Sequence, residues 1–374
     1  MTSTRSVLVA MSGGVDSSVA ACLLHEQGYR VVGSHLSLVH LDGVDHGCCG
    51  PTARADAGEV ARIAGFNFEV VDMSERFEHT VLADFFSEHA SGRTPNPCVR
   101  CNEQIKFGAF LELADRRGFD LVATGHYVRS VRGPDGRRRL LRGADADKDQ
   151  SYMLHTLGQS ELERSLFPIG ALTKPRTREL ARRFGLPVAS KPDSQEVCFV
   201  PGADHAAFLE GHAPELVHGG EIVDAATGTV VGEHAGTFRY TVGQRRGLGV
   251  SRSEPTYVVE VDAAGGRVFV GPSELLARPG LEADRLTWVA GVPPTSEPFT
   301  ASVRVRYRGG DVPATIEPRG TRIVVRFATP QRGIAPGQSV VVYRGEELLG
   351  GARIVRALPR DDVAVAAGER ARAS

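Results

Sequence analysis

With 374 residues, 41% of them hydrophobic and 24% charged, the chain has the composition of a soluble globular protein and is too long for one ordinary core. Its formal charge of −1 gives no sign of a nucleic-acid partner, and no apolar run approaches the roughly 18 residues that cross a bilayer, so a membrane partner is not expected. The opening Met1 to Ala10 breaks at Gly13-Gly14 and reads as a strand rather than a signal peptide, which predicts a cytoplasmic protein.

In chain order, Ser6 to Ala10 is a predicted strand, Ser17 to Gln27 a helix and Arg30 to Leu36 a strand. A helical stretch from Thr52 to Ala64 follows, then a strand at Phe68 to Val71 and helices over Glu75 to His89 and Glu103 to Arg116. Phe107, Phe110, Leu111 and Ala114 recur at helical spacing in the last of these and predict one buried face. After a strand at Leu121 to Thr124, Val128 to Leu141 reads as a hairpin turning at Pro134-Asp135-Gly136, and helical pattern returns at Gln150 to Thr156 and Arg176 to Phe184. Alternation of this kind predicts a parallel Rossmann-like sheet with ligands beyond the carboxyl ends of its strands.

Beyond Gly202 the texture changes. Short β-type runs appear at Thr256 to Val261, Arg267 to Val270, Ala301 to Tyr307, Thr321 to Phe327 and Ser339 to Tyr343. The expected organisation is therefore a catalytic α/β domain over 1–202, a small β-rich domain over 203–284, a β-barrel over 285–358 and a disordered tail over 359–374. Three basic clusters stand out: Arg137-Arg138-Arg139 with Arg142, Arg245-Arg246, and Arg304, Arg306, Arg308; a solvated face is the commoner meaning of each.

The clearest local signal is Met11-Ser12-Gly13-Gly14-Val15-Asp16-Ser17-Ser18, between the first strand and the first helix. Two glycines let backbone approach an anion, helix amides point at it, and three serines add donors. There is no lysine, so this is not the loop that grips β and γ phosphates. Asp16 reads as orienting the loop or a metal, or as a helix cap.

The six cysteines do not suggest a disulfide framework in a cytosolic chain. Cys22, beside Leu23, reads as inert core. Cys101 ends a proline-stiffened stretch, Arg93 to Asn102, at a helix start, where amides with Arg100 and Lys106 would lower a thiol's pKa. Cys198 follows another turn-rich segment, Lys191 to Val197, and could meet Cys101 over the sheet edge. Cys98 and Cys101 are also half of a zinc knuckle that Cys48-Cys49 could complete; with no second C-x-x-C at ribbon spacing, a metal or iron–sulfur site is not favoured and no metal ligand is assigned.

The Ser12 to Ser17 segment resembles the SGGxDS loop of the ATP pyrophosphatases, which implies an adenine nucleotide α hydrolase-like fold, cleavage of ATP between its α and β phosphates, and magnesium. Cys101-Asn102 with Ile105-Lys106-Phe107, Thr124-Gly125-His126-Tyr127, Lys148 to Tyr152, Asp193-Ser194 to Cys198-Phe199, Thr241 to Gly249, and Pro330 to Gly333 with Pro336-Gly337-Gln338 resemble, within that group, the tRNA 2-thiouridylases. The resemblance covers nearly the whole chain. It implies ATP-dependent 2-thiolation of the tRNA wobble uridine, with the nucleotide on Ala10, Met11, Ser12, Gly13, Gly14, Val15, Asp16, Ser17, Leu36 and Gly125. It further implies Cys101 as nucleophile, Cys198 as persulfide carrier loaded by a donor protein, and contacts to the anticodon stem-loop of tRNA from His126, Lys148, Asp149, Gln150, Arg306, Tyr307 and Gln338. Members of that family commonly carry Asp, assigned as a general base, where this chain has Cys98. A sister enzyme using a nitrogen nucleophile would not need the two cysteines, and a non-catalytic nucleic-acid or metal-binding module would release no pyrophosphate.

Overall fold

The computed structural model describes residues 4–39, 50–193, 197–200, 202, 204–250 and 254–360. Cys48, Cys49, Ser194 and nearly all of the expected tail lie outside them.

β1 (Ser6–Ala10) is the centre of a parallel sheet, and Val7, Leu8 and Val9 are fully buried because helices cover both faces. α1 (Val15–Glu26), β2 (Arg30–Ser37), α2 (Pro51–Ala64) and β3 (Asn67–Asp72) build out one side. Helices α3 (residues 74–90) and α4 (residues 97–116) cross back to β4 (Leu121–Ala123). The hairpin β5 (Val128–Arg132) and β6 (Arg138–Arg142) follows, then β7 (Ser165–Leu166) and α5 (Lys174–Arg183). The sheet order is β3-β2-β1-β4-β7, so the winding reverses between β1 and β4. Such a reversal opens a crevice beyond the carboxyl ends of those two strands.

α4 departs from expectation. It carries a π-helical stretch over Asn102–Ala109, whose wider turn rotates successive side chains through a smaller angle than an α-helix does. Instead of one buried face there are two: Ile105, Ala109, Phe110 and Ala114 pack under the sheet, while Phe107 joins Tyr152, Leu154 and Tyr343.

α6 (His205–His212) leads into four strands, β8 (Gly220–Asp224), β9 (Val230–His234), β10 (Tyr257–Asp262) and β11 (Arg267–Gly271), ordered β10-β11-β8-β9. The remaining strands are β12 (Ala277–Trp288), β13 (Phe299–Arg304), β14 (Val312–Arg319), β15 (Arg322–Arg332), β16 (Ser339–Arg344) and β17 (Glu347–Ala357). Because β12 pairs with both β15 and β17, these six close into an antiparallel barrel around Leu281, Ile316, Val325, Val342 and Ile354. The boundary expected at 284 falls inside β12.

The barrel does not stand apart. Leu140 and Leu141 of β6 pair with Leu348 and Glu347 of β17, so the hairpin of the first domain extends the barrel's sheet. Val128, Leu140, Tyr152, Val341, Tyr343 and Leu348 form one shared core across that seam.

Candidate active site

The Ser12 loop emerges from β1 into the crevice. Ala10 ends that strand, and Met11 lies buried beneath the loop, its amide donating to Ser34 O at 2.8 Å. Gly13 has φ +67°, and a Cβ there would lie 2.1 Å from Ala53 O at the start of α2. Only glycine permits that conformation and that approach. Ser17 Oγ accepts from Ser12 N at 3.2 Å and Ser18 Oγ donates to Gly14 O at 2.8 Å, which closes the turn. Gly14 begins α1 without a side-chain cap, so the first-turn amides from Val15 onward have no capping acceptor and face the crevice mouth. Across the switch point, Gly125 follows β4 so closely that a Cβ would meet Ser17 N at 2.5 Å. Leu36 sits near the carboxyl end of β2, next to β1 in the sheet.

The loop has no cation of its own, yet cations surround it. Lys174, at the start of α5 and largely buried, donates to both oxygens of Asp16 at 2.8 Å. The Tyr127 hydroxyl donates to Asp16 Oδ1 at 2.8 Å, and burial followed by the Asp16 charge raises its pKa far above the ordinary phenol value. Lys191 Nζ donates to Gly13 O at 3.1 Å and to Asp56 at 2.6 Å. Asp193 gathers Lys174 at 2.7 Å, Lys148 at 2.9 Å and Arg178 at 2.9 Å. Lys174, Lys191 and Arg178 were missed from sequence. The absence of lysine from the loop was the available signal that its cations had to come from elsewhere.

The two cysteines assigned to sulfur chemistry border the same apolar cluster, with Phe77, Phe85 and Phe199. Cys101 is buried and Cys198 half-buried. Cys101, however, is not at a helix start. Asn96 caps the helix by accepting from Val99 N at 3.3 Å, Pro97 is its first residue, and Cys101 ends its first stretch, Pro97–Cys101. The open-amide position belongs to Cys98, which is exposed. Arg100 is engaged by Glu103 at 2.5 Å and Asp84 at 3.5 Å, and Lys106 donates to Asn102 Oδ1 at 3.1 Å. Cys22 is core, its thiol pushed up to about 12 by burial and then by Glu26.

The stretch before Cys98 is held by all three domains. Thr94 N donates to Pro336 O at 2.8 Å, and Gln338 Nε2 donates to Thr94 O at 2.8 Å from the barrel. Thr94 Oγ1 donates to Thr241 Oγ1 of the central domain at 3.0 Å. Gln338 is thus bound to the cysteine-bearing loop.

The other expected RNA contacts divide. His126 is buried, its Nδ1 2.8 Å from Thr124 Oγ1, and burial with nearby Lys106 holds its pKa well below the usual imidazole value. Asp149 is also buried and accepts from Gly143 N and Ser151 N at 3.0 Å, with Arg142 at 3.4 Å and Arg304 at 3.7 Å. Gln150 Oε1 accepts from Tyr127 N at 2.9 Å. Arg306 donates to Arg332 O at 2.7 Å and Gly333 O at 3.0 Å. Tyr307, near Tyr152, is within electrostatic reach of Lys148 and Cys98. Several cluster arginines are ion-paired: Arg138 with Glu163, Arg139 with Glu347, and Arg142 and Arg304 with Asp311. Among the described residues no group of three or more His, Cys, Asp or Glu side chains is placed to hold a metal, and no helix is long and apolar enough to cross a membrane.

Residues 5–202 match the family model described as "tRNA methyl transferase HUP domain", 206–272 the "tRNA methyl transferase PRC-barrel domain" and 278–354 the "Aminomethyltransferase beta-barrel domain". The chain is 50% identical over 365 residues to the tRNA-specific 2-thiouridylase MnmA of Geobacter metallireducens, covering 95% of this chain and 98% of that protein. It is 46% identical over 358 residues to the protein of the same name from Pelobacter propionicus, covering 95% and 99%. The Acidothermus cellulolyticus counterpart is 46% identical over 359 residues, covering 94% and 97%.

Proposed function

The chain belongs to the tRNA-specific 2-thiouridylase family, and from that premise we propose that it is a tRNA sulfurtransferase that uses ATP to exchange the C2 oxygen of the wobble uridine for sulfur, in the cytoplasm. The observation that carries this is the meeting of two parts: an open phosphate loop at the switch point, and two distant cysteines bordering one apolar cluster on the same domain.

The pyrophosphate end of ATP lies on Ser12, Gly13, Gly14, Val15, Asp16 and Ser17, with Ala10 and Met11 beneath and adenine against the backbone of Leu36 and Gly125. Magnesium would enter on the phosphates. The carboxylates around the loop are ion-paired, Asp16 and Asp193 to Lys174 and Asp56 to Lys191, so phosphate oxygens and water suit it as ligands. The anticodon stem-loop docks by Gln150, Arg306 and Tyr307, with Lys148 at the border between it and the nucleotide, while His126, Asp149 and Gln338 shape the surface from behind. The target base flips out of the stack, since its C2 oxygen is otherwise unreachable.

That oxygen attacks the α phosphorus, pyrophosphate leaves, and the base carries an adenylate. A donor protein has left a persulfide on Cys198. In one route its outer sulfur attacks C2, AMP departs, and the Cys101 thiolate attacks the Cys198 sulfur, freeing the base as 2-thiouridine and leaving a Cys101–Cys198 disulfide. In the other, Cys101 first expels hydrosulfide, which attacks C2. Either disulfide is reduced by an external thiol before the next turnover. Cys98 offers no carboxylate base at its position.

The test is nucleoside mass spectrometry on unmodified tRNA incubated with protein, ATP, magnesium and a persulfide donor, beside a Cys101→Ser sample. We expect 2-thiouridine and AMP with the parent protein and no thiolated base with the variant. Full activity in a Cys101→Ser, Cys198→Ser protein would turn the reading toward a nitrogen nucleophile. Neither AMP nor thiolated base from folded parent protein would remove it.

A further inference from the structure

We infer that Lys148, Lys174 and Arg178 form a triphosphate-binding subsite of the nucleotide pocket, with Asp193 as the anion that phosphate displaces. The inference rests on the nucleotide reading above and adds to it the residues that supply positive charge.

Three cations converge on one carboxylate, at 2.7 Å (Lys174), 2.9 Å (Lys148) and 2.9 Å (Arg178). Asp193 and Asp16 set two carboxylates against these three cations, so the cluster keeps one unspent positive charge beside the phosphate loop. Lys174 ties it to that loop, because the same ammonium holds Asp16. Its side chain is only 9% exposed, whereas Lys148 is 34% and Asp193 22% exposed, so the cluster is anchored at one end and open to solvent at the other. Asp145 caps the backbone of Lys174 at 2.8 Å and lies within electrostatic reach of Lys148. Lys191 touches the loop at Gly13 O and is held by Asp56, and its own carbonyl accepts from Arg178 at 2.9 Å. A pyrophosphate leaving group carries several charges and needs donors where charge accumulates, which the serines and amides of the loop supply only in part. Ammonium and guanidinium groups bind phosphate oxygens at least as well as carboxylate oxygens.

If Asp193 merely aims the lysines, removing its charge weakens nucleotide binding. If it competes with phosphate, removing its charge strengthens binding. The experiment is equilibrium binding of α,β-methylene-ATP, which cannot be cleaved at that bond, to the full-length parent protein and to Asp193→Asn, Lys174→Met and Lys148→Met, with thermal unfolding run in parallel. We expect Asp193→Asn to bind several-fold more tightly, and each lysine variant to bind about tenfold more weakly at low salt. Lys148→Met, at a half-buried position on the solvent side of the cluster, keeps the test decisive should Lys174→Met fail to fold. Equal or weaker binding by folded Asp193→Asn, or parent-like binding by Lys148→Met, overturns the inference. No binding by the parent protein overturns the nucleotide reading itself.

Discussion

Gly125 shows how tightly one backbone atom can be specified. A methyl group there would press on Ser17 N at 2.5 Å and on the Asp16 carbonyl carbon at 2.7 Å, both main-chain atoms that cannot rotate away. Gly125→Ala should therefore push the first turn of α1 off its position and weaken α,β-methylene-ATP binding at least about tenfold, with a loss of stability of about 1–3 kcal/mol by urea unfolding. Cys22 makes the opposite case. With its thiol pushed up to about 12 by burial, it should resist iodoacetamide at pH 8 in the native protein while exposed Cys98 reacts, as peptide mass spectrometry would read directly. The tight turn from β1 into α1 was legible in the sequence because its glycines and serines act within a few residues of one another. Lys174 and Asp193 were not, because what matters about them is proximity to a loop at the other end of the domain, and no local pattern records that.

At the scale of elements, strands with unbroken apolar runs were readable: β1 and β16 begin and end within a residue of the expected limits. β17 was missed for a physical reason. β17 contains Gly350 and Gly351, where a Cβ would collide with Trp288 Cε3 at 2.7 Å and with the His155 ring at 2.6 Å, so packing demands residues that spell loop in a sequence. The placement of Cys101 went wrong similarly, because Pro97 starts the helix a turn earlier than its apolar pattern does. The barrel's hold on that helix is testable. Gly337 has φ +91°, and a Cβ would meet the Thr94 backbone at 2.9 Å. Gly337→Ala should cut the thiolation rate more than about tenfold while far-ultraviolet circular dichroism stays unchanged, and Gln338→Ala should cut it less, because it deletes a hydrogen bond without forcing the loop to move.

For the molecule as a whole, acidity should loosen the joints between domains. Burial brings His155 down to about 4, where its Nε2 sits 2.9 Å from Ser339 Oγ of the barrel and its Nδ1 has no partner. Burial, and then the charge of His205, brings His89 to about 4 as well. Both are depressed, so the unfolded chain takes up protons first, from about pH 6.5 downward. Their contribution is complete above that pH, is lost as pH falls toward 4, and each is worth on the order of 3 kcal/mol. Urea midpoints should fall between pH 7 and pH 5, and His155→Gln should flatten that slope; a pH-independent midpoint would contradict this account.

The pairing of β6 with β17 bears on how this protein can be divided. Two extra strands from the first domain lie along the barrel, and Tyr343, Leu348 and Leu140 are shared between them. A fragment cut before β12 would leave β6 with an open edge and half a core exposed to water, and such edges invite association with other chains. The barrel is therefore not a detachable module, and neither a smaller catalytic fragment nor an exchange of barrels between distant relatives should give a well-behaved protein unless the hairpin travels with it.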